Sequence, residues 1–193
     1  TTAQAVLRGH LSAVSVLALN PGGSILASGS LDGTVIFWDI NEKKLLKSSK
    51  VTGKGSVKSL VFHPNENILA IGGEDGSLQF IDLTEMKLQF KLPNHKKSVT
   101  ALDYNLKGNL FVSSSEDGKL IVWDWELRKQ QFEIEINDSI TDLSIHPLRN
   151  EIALVTAGGR LETWSLSTGS QLHTINKSER ALTSIGYDSH GQR

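Results

Sequence analysis

Apolar residues follow two rhythms along this chain. Near-continuous runs such as Val14-Ser15-Val16-Leu17-Ala18-Leu19, Val57-Lys58-Ser59-Leu60-Val61-Phe62 and Ile68-Leu69-Ala70-Ile71 predict short strands covered on both faces. Segments such as Lys87-Leu88-Gln89-Phe90-Lys91 alternate apolar with charged residues and predict strands with one face in water. Between them stand turn signals. The clearest is Ser113-Ser114-Ser115-Glu116-Asp117-Gly118-Lys119-Leu120-Ile121-Val122-Trp123-Asp124. It reads as strand, Asp-Gly turn, strand, with a β-branched and aromatic second arm suited to a pleated, buried surface. A two-residue Asp-Gly turn predicts positive φ at both central positions.

That hairpin occurs four times. Leu31-Asp32-Gly33 leads into Val35-Ile36-Phe37-Trp38-Asp39, Glu74-Asp75-Gly76 into Leu78-Gln79-Phe80-Ile81-Asp82, and Ala157-Gly158-Gly159 into Leu161-Glu162-Thr163-Trp164-Ser165. The aromatic position moves from Trp38 to Ile81, Trp123 and Trp164 in steps of 43, 42 and 41 residues, and the turn position keeps the same steps. A period of about 40–45 with a Gly-His…Trp-Asp signature marks four-stranded propeller blades. The signature stands as Gly9-His10…Trp38-Asp39 and, less completely, as Asn94-His95…Trp123-Asp124. The chain thus resembles the WD-repeat β-propeller family over nearly its whole length. The resemblance implies an all-β fold of four full four-stranded blades, near 10–50, 51–93, 94–135 and 136–176. It also implies a partial blade at 177–193 and an orphan outer strand at 4–9. In this family rings close when an N-terminal outer strand completes the last blade, and seven units are the commoner number. The expectation is therefore a fragment of a longer ring, whose end faces need completing by more chain or by a second chain.

Composition narrows the function. Among 193 residues, 20 Lys and Arg stand against 21 Asp and Glu, a net charge of −1, so no general field draws nucleic acid or acidic membranes. No cysteine is present, which fits an intracellular protein, nuclear or cytoplasmic. No apolar run approaches the roughly 18 residues of a membrane span. No Cys/His or Asp/Glu cluster has metal-ligand spacing, and no cofactor motif occurs. His63 and His146 recur in His-Pro pairs at the same turn, which makes them turn residues; His173 and His190 stand alone.

The resemblance also implies hydrogen-bond networks inside blades. His10, Ser28 or Ser30, Asp32 and Trp38 form one set, and His95, Ser113 or Ser115, Asp117 and Trp123 the other; His and Asp are 22 residues apart in both. Asp would accept from His, with His and Ser bridging to the indole, so that buried polar groups are paired. A Ser/His/Asp set also invites a hydrolase reading, but a catalytic triad has no reason to recur at blade spacing. Blade two lacks the His and has Ile81 for Trp, and blade four has Gly158 for Asp and no His. Those two are expected to hold by packing alone and to be the more mobile.

For a binding platform, the family's contacts before the turn Asp and at the lead-in to the first strand carry over to Leu31, Glu74, Glu116 and Ala157, and to Ser12, Gly55, Lys97 and Asp138. Leu31, Glu74, Glu116 and Lys97 are the favoured four, with Ser12 and Asp138 behind them. They suit a peptide with a basic residue and an apolar anchor. The expected function is a non-enzymatic protein-interaction scaffold in a larger assembly. The alternative is an RNA-binding subunit using Lys43, Lys44, Lys47, Lys50, Lys54 and Lys58, a run that reads equally as a solvated outer strand and loop. A propeller hydrolase is a further reading with less behind it.

Overall fold

The computed structural model describes residues 6–53, 55–93, 95–177 and 180–188. Lys54, Asn94, Ala5 and His190 fall outside them. The strands are β1 (Val14–Leu19), β2 (Ile25–Ser30), β3 (Thr34–Asp39), β4 (Lys44–Lys50), β5 (Val57–Phe62), β6 (Ile68–Gly73), β7 (Leu78–Asp82) and β8 (Lys87–Leu92). They continue as β9 (Val99–Tyr104), β10 (Leu110–Ser115), β11 (Lys119–Asp124), β12 (Lys129–Glu135), β13 (Ile140–Ile145), β14 (Glu151–Thr156), β15 (Arg160–Ser165) and β16 (Gln171–Lys177). Each consecutive set of four pairs in chain order into an antiparallel sheet, β1-β2-β3-β4 and so on, which gives four propeller blades among the described residues.

The hairpin turns differ from the sequence expectation. In each, the amide of the last turn glycine donates to a carbonyl three residues back, as Gly33 to Ser30 and Gly118 to Ser115, both at 3.1 Å. Only that glycine is left-handed, with φ of 78°, 80°, 79° and 77° at Gly33, Gly76, Gly118 and Gly159; Asp32, Asp75 and Asp117 are not. The turn is therefore a three-residue loop whose glycine forms the bulge. The Asp keeps ordinary φ because its carboxylate bends back to its own strand: Asp32 Oδ1 accepts from Thr34 N at 2.8 Å, and Asp117 Oδ1 from Lys119 N at 3.0 Å. The β3–β4, β7–β8 and β11–β12 turns place Lys43, Met86 and Arg128 in the left-handed region, at φ of 55°, 52° and 53°, where blade four has Gly169 at 66°.

The first-to-second strand turns come in two kinds. Asn20 and Asn105 cap their own turns: Asn20 Oδ1 accepts from Ser24 N and Ile25 N at 2.8 Å, and Asn105 Oδ1 from Leu110 N at 3.0 Å. His63 and His146 do so through Nδ1, which accepts from Asn65 N and Glu66 N in one turn and from Leu148 N and Arg149 N in the other. With Nδ1 accepting, the His63 proton sits on Nε2 and is donated to Gly108 O of the next blade at 3.0 Å. Both histidines are the turn residues that their recurrence indicated.

The core lies between blades. One cluster joins Ala27, Val35 and Phe37 of blade one to Val57, Leu60 and Phe62 of blade two. A second joins Leu78 and Phe80 to Leu102, Tyr104 and Phe111, and a third joins Val112 and Val122 to Ile140, Leu143 and Ile145. Outer strands are mostly exposed, as their alternation predicts. The first strand is buried in three blades and uncovered in blade one. Val14, Leu17 and Leu19 are 51%, 60% and 54% exposed, whereas Val57, Leu60 and Phe62 at the same places are at most 8%.

The expected outer strand before His10 is not formed in its described part, Val6–Gly9, which belongs to no sheet. Residues 180–188 likewise form no ladder, yet they sit where a fifth first strand would. Thr141 Oγ1 donates to Leu182 O as Ser15 Oγ donates to Val57 O. Ile185 N reaches Asp142 Oδ2 at 2.9 Å, and Tyr187 lies 4.7 Å from His146 as Tyr104 lies 4.8 Å from His63.

Candidate functional site

Blade three brings together the set that the resemblance implies, short of an aligned His-to-Asp hydrogen bond. β11 buries Trp123, whose Nε1 donates to Ser113 Oγ on β10 at 3.1 Å; Ser113 Oγ is 2.8 Å from His95 Nε2. Ser113 accepts from the indole and donates to the imidazole, which leaves the His95 proton on Nδ1. That atom lies 3.4 Å from Asp117 Oδ2, a contact outside hydrogen-bond alignment. Burial pushes the His95 pKa down, against the pull of Asp117. Burial raises that of Asp117, but the Lys96 and Lys119 amides and His95 outweigh it and hold it below the usual range. The pair is thus a neutral imidazole against a carboxylate. Ser113 has no accessible surface and both its hydrogen-bonding roles are taken, so as built it offers no nucleophile. Ser115 plays a separate part, accepting from Asp117 N at 3.1 Å.

In blade one the His and Asp lie farther apart and are joined through a hydroxyl. Ser28 Oγ accepts from Trp38 Nε1 at 2.8 Å and is 2.7 Å from His10 Nε2. His10 Nδ1 lies 4.0 Å from Asp32 and 3.0 Å from Thr34 Oγ1, which donates to Asp32 Oδ1 at 2.5 Å. Thr34 is inserted in the chain because its hydroxyl reaches between the two; Lys119, at that place in blade three, cannot. Burial pulls Asp32 upward, but its bonds from Thr34 and Leu11 N hold it at about 2. Ser30 instead accepts from Asp32 N. Gly9 precedes His10 because a Cβ there would meet Trp38 at 3.0 Å and Ile36 at 3.1 Å.

Blade four does not rest on packing alone. Along β15 a different relay reaches the same indole: Trp164 Nε1 donates to Glu162 Oε2 at 3.1 Å, and Glu162 Oε1 pairs with Arg160 at 3.0 Å. Arg160 also donates to Ile136 O at 2.8 Å and lies 3.6 Å from Asp138. Asp138 Oδ2 accepts from Gly158 N at 3.1 Å, so the lead-in supplies the carboxylate that the turn lacks. The signal was present as Arg160-x-Glu162-x-Trp164, three residues that share one strand face. Blade two also has polar ties. Gln79, at the place of Glu162, is buried and donates to Val51 O, and Asp75 accepts from Ser77 N and Oγ.

The rim residues stand at one end of the four sheets, at the β2–β3 type of turn and the adjacent lead-ins. Leu31, Glu74, Glu116, Lys97 and Ser12 are exposed, while Asp138 is half-buried and held by Arg160. Glu74 is tied down as well: its Oε2 accepts from Ser56 N at 2.8 Å and Ser56 Oγ at 2.7 Å, bonds that depress its pKa. Among the described residues, the side chains of Glu116, Lys97 and Ser12 make no hydrogen bond or ion pair.

The lysines do not converge. Lys43, Lys44, Lys47 and Lys50 lie on or beside β4, but Lys44 pairs with Glu42 and Lys50 donates to Asp32 O at 2.6 Å. Lys58 belongs to the inner strand β5, where its charge acts on Glu74. Lys54 is outside the described residues. No group of three metal-ligating side chains occurs among the described residues, and no helix there is long and apolar enough to cross a membrane.

Two family models match three stretches. The model described as WD domain, G-beta repeat covers residues 1–39 and 86–124, and that described as Anaphase-promoting complex subunit 4 WD40 domain covers 49–97. The F-box-like/WD repeat-containing protein TBL1X of Homo sapiens is 36% identical over 66% of this chain and 24% of its own length. The Target of rapamycin complex subunit wat1 of Schizosaccharomyces pombe is 32% identical over 50% of this chain and 31% of its own. The Periodic tryptophan protein 2 homolog of the same yeast is 28% identical over 84% of this chain and 14% of its own. The chain spans less than a third of the curated relatives it matches.

Proposed function

We propose that this chain, which belongs to the WD-repeat family, is part of a non-enzymatic platform that docks other proteins within a multiprotein assembly. One observation carries the reading: exposed Leu31, Glu116 and Lys97 rise from turns that buried networks hold in place. Side chains on a stiff frame lose little freedom on binding, which is what a recognition surface needs. That a relative is named as a subunit of a complex supports the same reading; a working place in the nucleus or cytoplasm is part of the proposal. The partner segment would carry a basic residue for Glu116 and Glu74 and an apolar anchor for Leu31. Because Glu74 is engaged with Ser56, Leu31 and Glu116 should dominate.

The double variant Leu31→Arg with Glu116→Lys tests this in the natural full-length protein. Affinity purification with mass spectrometry should lose the main partners while circular dichroism stays unchanged. The same partners at the same yield would remove the site from this rim. RNA binding is set aside as the weaker reading, because the lysines that suggested it are spread over two blades.

A further inference from the structure

At the opposite end of the sheets, between blades three and four, lies a groove of about 420 Å³. Its walls are the β9–β10 and β13–β14 turns, with Leu106, Lys107 and Asn109 on one side and Leu148, Arg149 and Asn150 on the other. The corresponding space between blades two and three is narrowed to about 140 Å³. There His63 bonds to Gly108 and stacks on Trp125 at 5.0 Å, Asn65 donates to Lys107 O at 2.9 Å, and Trp125 donates to Glu66 at 2.9 Å. Between blades three and four the smaller Leu166 stands in the place of Trp125, and Asn105 in that of His63. Asn105 is spent on its own turn, bonding Leu110 N and Asn109 Oδ1. The groove is what those two smaller side chains leave.

Its chemistry is one-sided. Leu106 and Leu148 are 67% and 71% exposed on its rim. Lys107 and Arg149 line it, no Asp or Glu does, and among the described residues neither cation makes an ion pair. In a chain whose charges nearly balance, two free cations beside two bare leucines are a local asymmetry. Both walls are set in advance, since His146 Nδ1 pins the Leu148 and Arg149 amides and Asn105 holds the other turn.

We propose that this groove docks an extended acidic segment of another protein, with a leucine- or phenylalanine-like side chain between the two leucines and carboxylates on Lys107 and Arg149. The volume falls in the range of about 300–1,000 Å³ typical of pockets for small ligands, enough for a few residues of a segment. A nucleic acid fits less well, because no Trp, Tyr or Phe lines the groove and its one ring, His146, is buried and packed on Tyr187. This site is separate from the turn rim and does not depend on it.

Labelled hexapeptides alternating Leu or Phe with Asp or Glu, and matched peptides carrying Lys for the acids, are the probes. Fluorescence polarisation with the natural full-length protein should show saturable binding of acidic peptides, at least tenfold weaker in Lys107→Glu with Arg149→Glu. That variant should now take the lysine peptides, and Leu31→Arg with Glu116→Lys should change nothing. Both cations sit at exposed turn tips, so melting should be unaffected; if the double variant fails to fold, Leu148→Ser gives the same reading with at least fivefold loss. Absence of binding by every acidic peptide, or binding indifferent to these variants, would overturn the proposal. So would self-association lost in the double variant, which would assign the groove to a second copy, or displacement of the peptides by oligouridylate at equal charge.

Discussion

Asp103 offers a direct measurement of what one blade junction costs. Its Oδ2 reaches into blade four to accept from Ile145 N at 2.8 Å, and its Oδ1 accepts from Tyr104 N at 2.8 Å. Burial raises its pKa from 3.8 to about 6, against those two bonds and with help from Asp142. Because the folded value is the higher one, the folded chain holds its proton longer. The stabilising contribution is complete below about 3.8 and is lost as pH rises through about 6. At roughly 1.36 kcal/mol per pH unit, the ionised group costs on the order of 3 kcal/mol at pH 7.5. Asn, like the protonated acid, is uncharged and keeps one acceptor for Ile145 N, but its amide nitrogen cannot accept from Tyr104 N. Asp103→Asn should therefore start about 1 kcal/mol below the wild type near pH 4 and gain about 3 kcal/mol on it by pH 7.5. Denaturant unfolding from pH 4 to 8 reads this directly, and groups away from the substitution cancel from the difference. A variant less stable than the wild type at pH 7.5, or a difference that does not change with pH, would refute the reasoning.

Asp117→Ala should destabilise more than Asp75→Ala, by about 1–3 kcal/mol, because it strands the Lys96 amide and buried His95; denaturant midpoints decide it, and equal shifts would dismiss the network. Lys43→Gly relieves a left-handed lysine on an exposed turn and should raise stability by about 0.5–1 kcal/mol, while Gly169→Ala should lower it by a similar amount. Glu162→Ala leaves Arg160 and the Trp164 indole without their shared partner and should cost about 1–3 kcal/mol with altered tryptophan fluorescence; a neutral effect would show that blade four does rest on packing.

The sequence made the blades legible because three independent signals recur at one period: a turn, a buried run and an indole. The blade-three set followed from the family resemblance, and nothing intervenes between His95 and Asp117. The Thr34 bridge of blade one did not, because it depends on His and Asp lying 4.0 Å apart there against 3.4 Å in blade three, which spacing cannot express. Blade four departs for another reason. The family's residue types are absent there, and the chain reaches the same indole with Arg160 and Glu162 and draws its carboxylate from Asp138. Lysines adjacent in sequence were parted because a blade boundary falls between Lys50 at the end of β4 and Lys58 on β5. The groove near Leu148 was invisible, being defined by the smallness of residues in two different blades.

Among the described residues the core is divided into three parcels, each shared by two neighbours and none by three. Cohesion is then linked in series, like couplings between railway carriages. A cavity cut at Phe37 should loosen the first coupling and leave amide exchange around Val122 and Ile152 nearly as it was. Such a chain tolerates drift in one unit without consulting the rest, which is how blades with His-Ser, Gln and Arg-Glu interiors can stand side by side. It also gives evolution a unit of change larger than a residue and smaller than a fold.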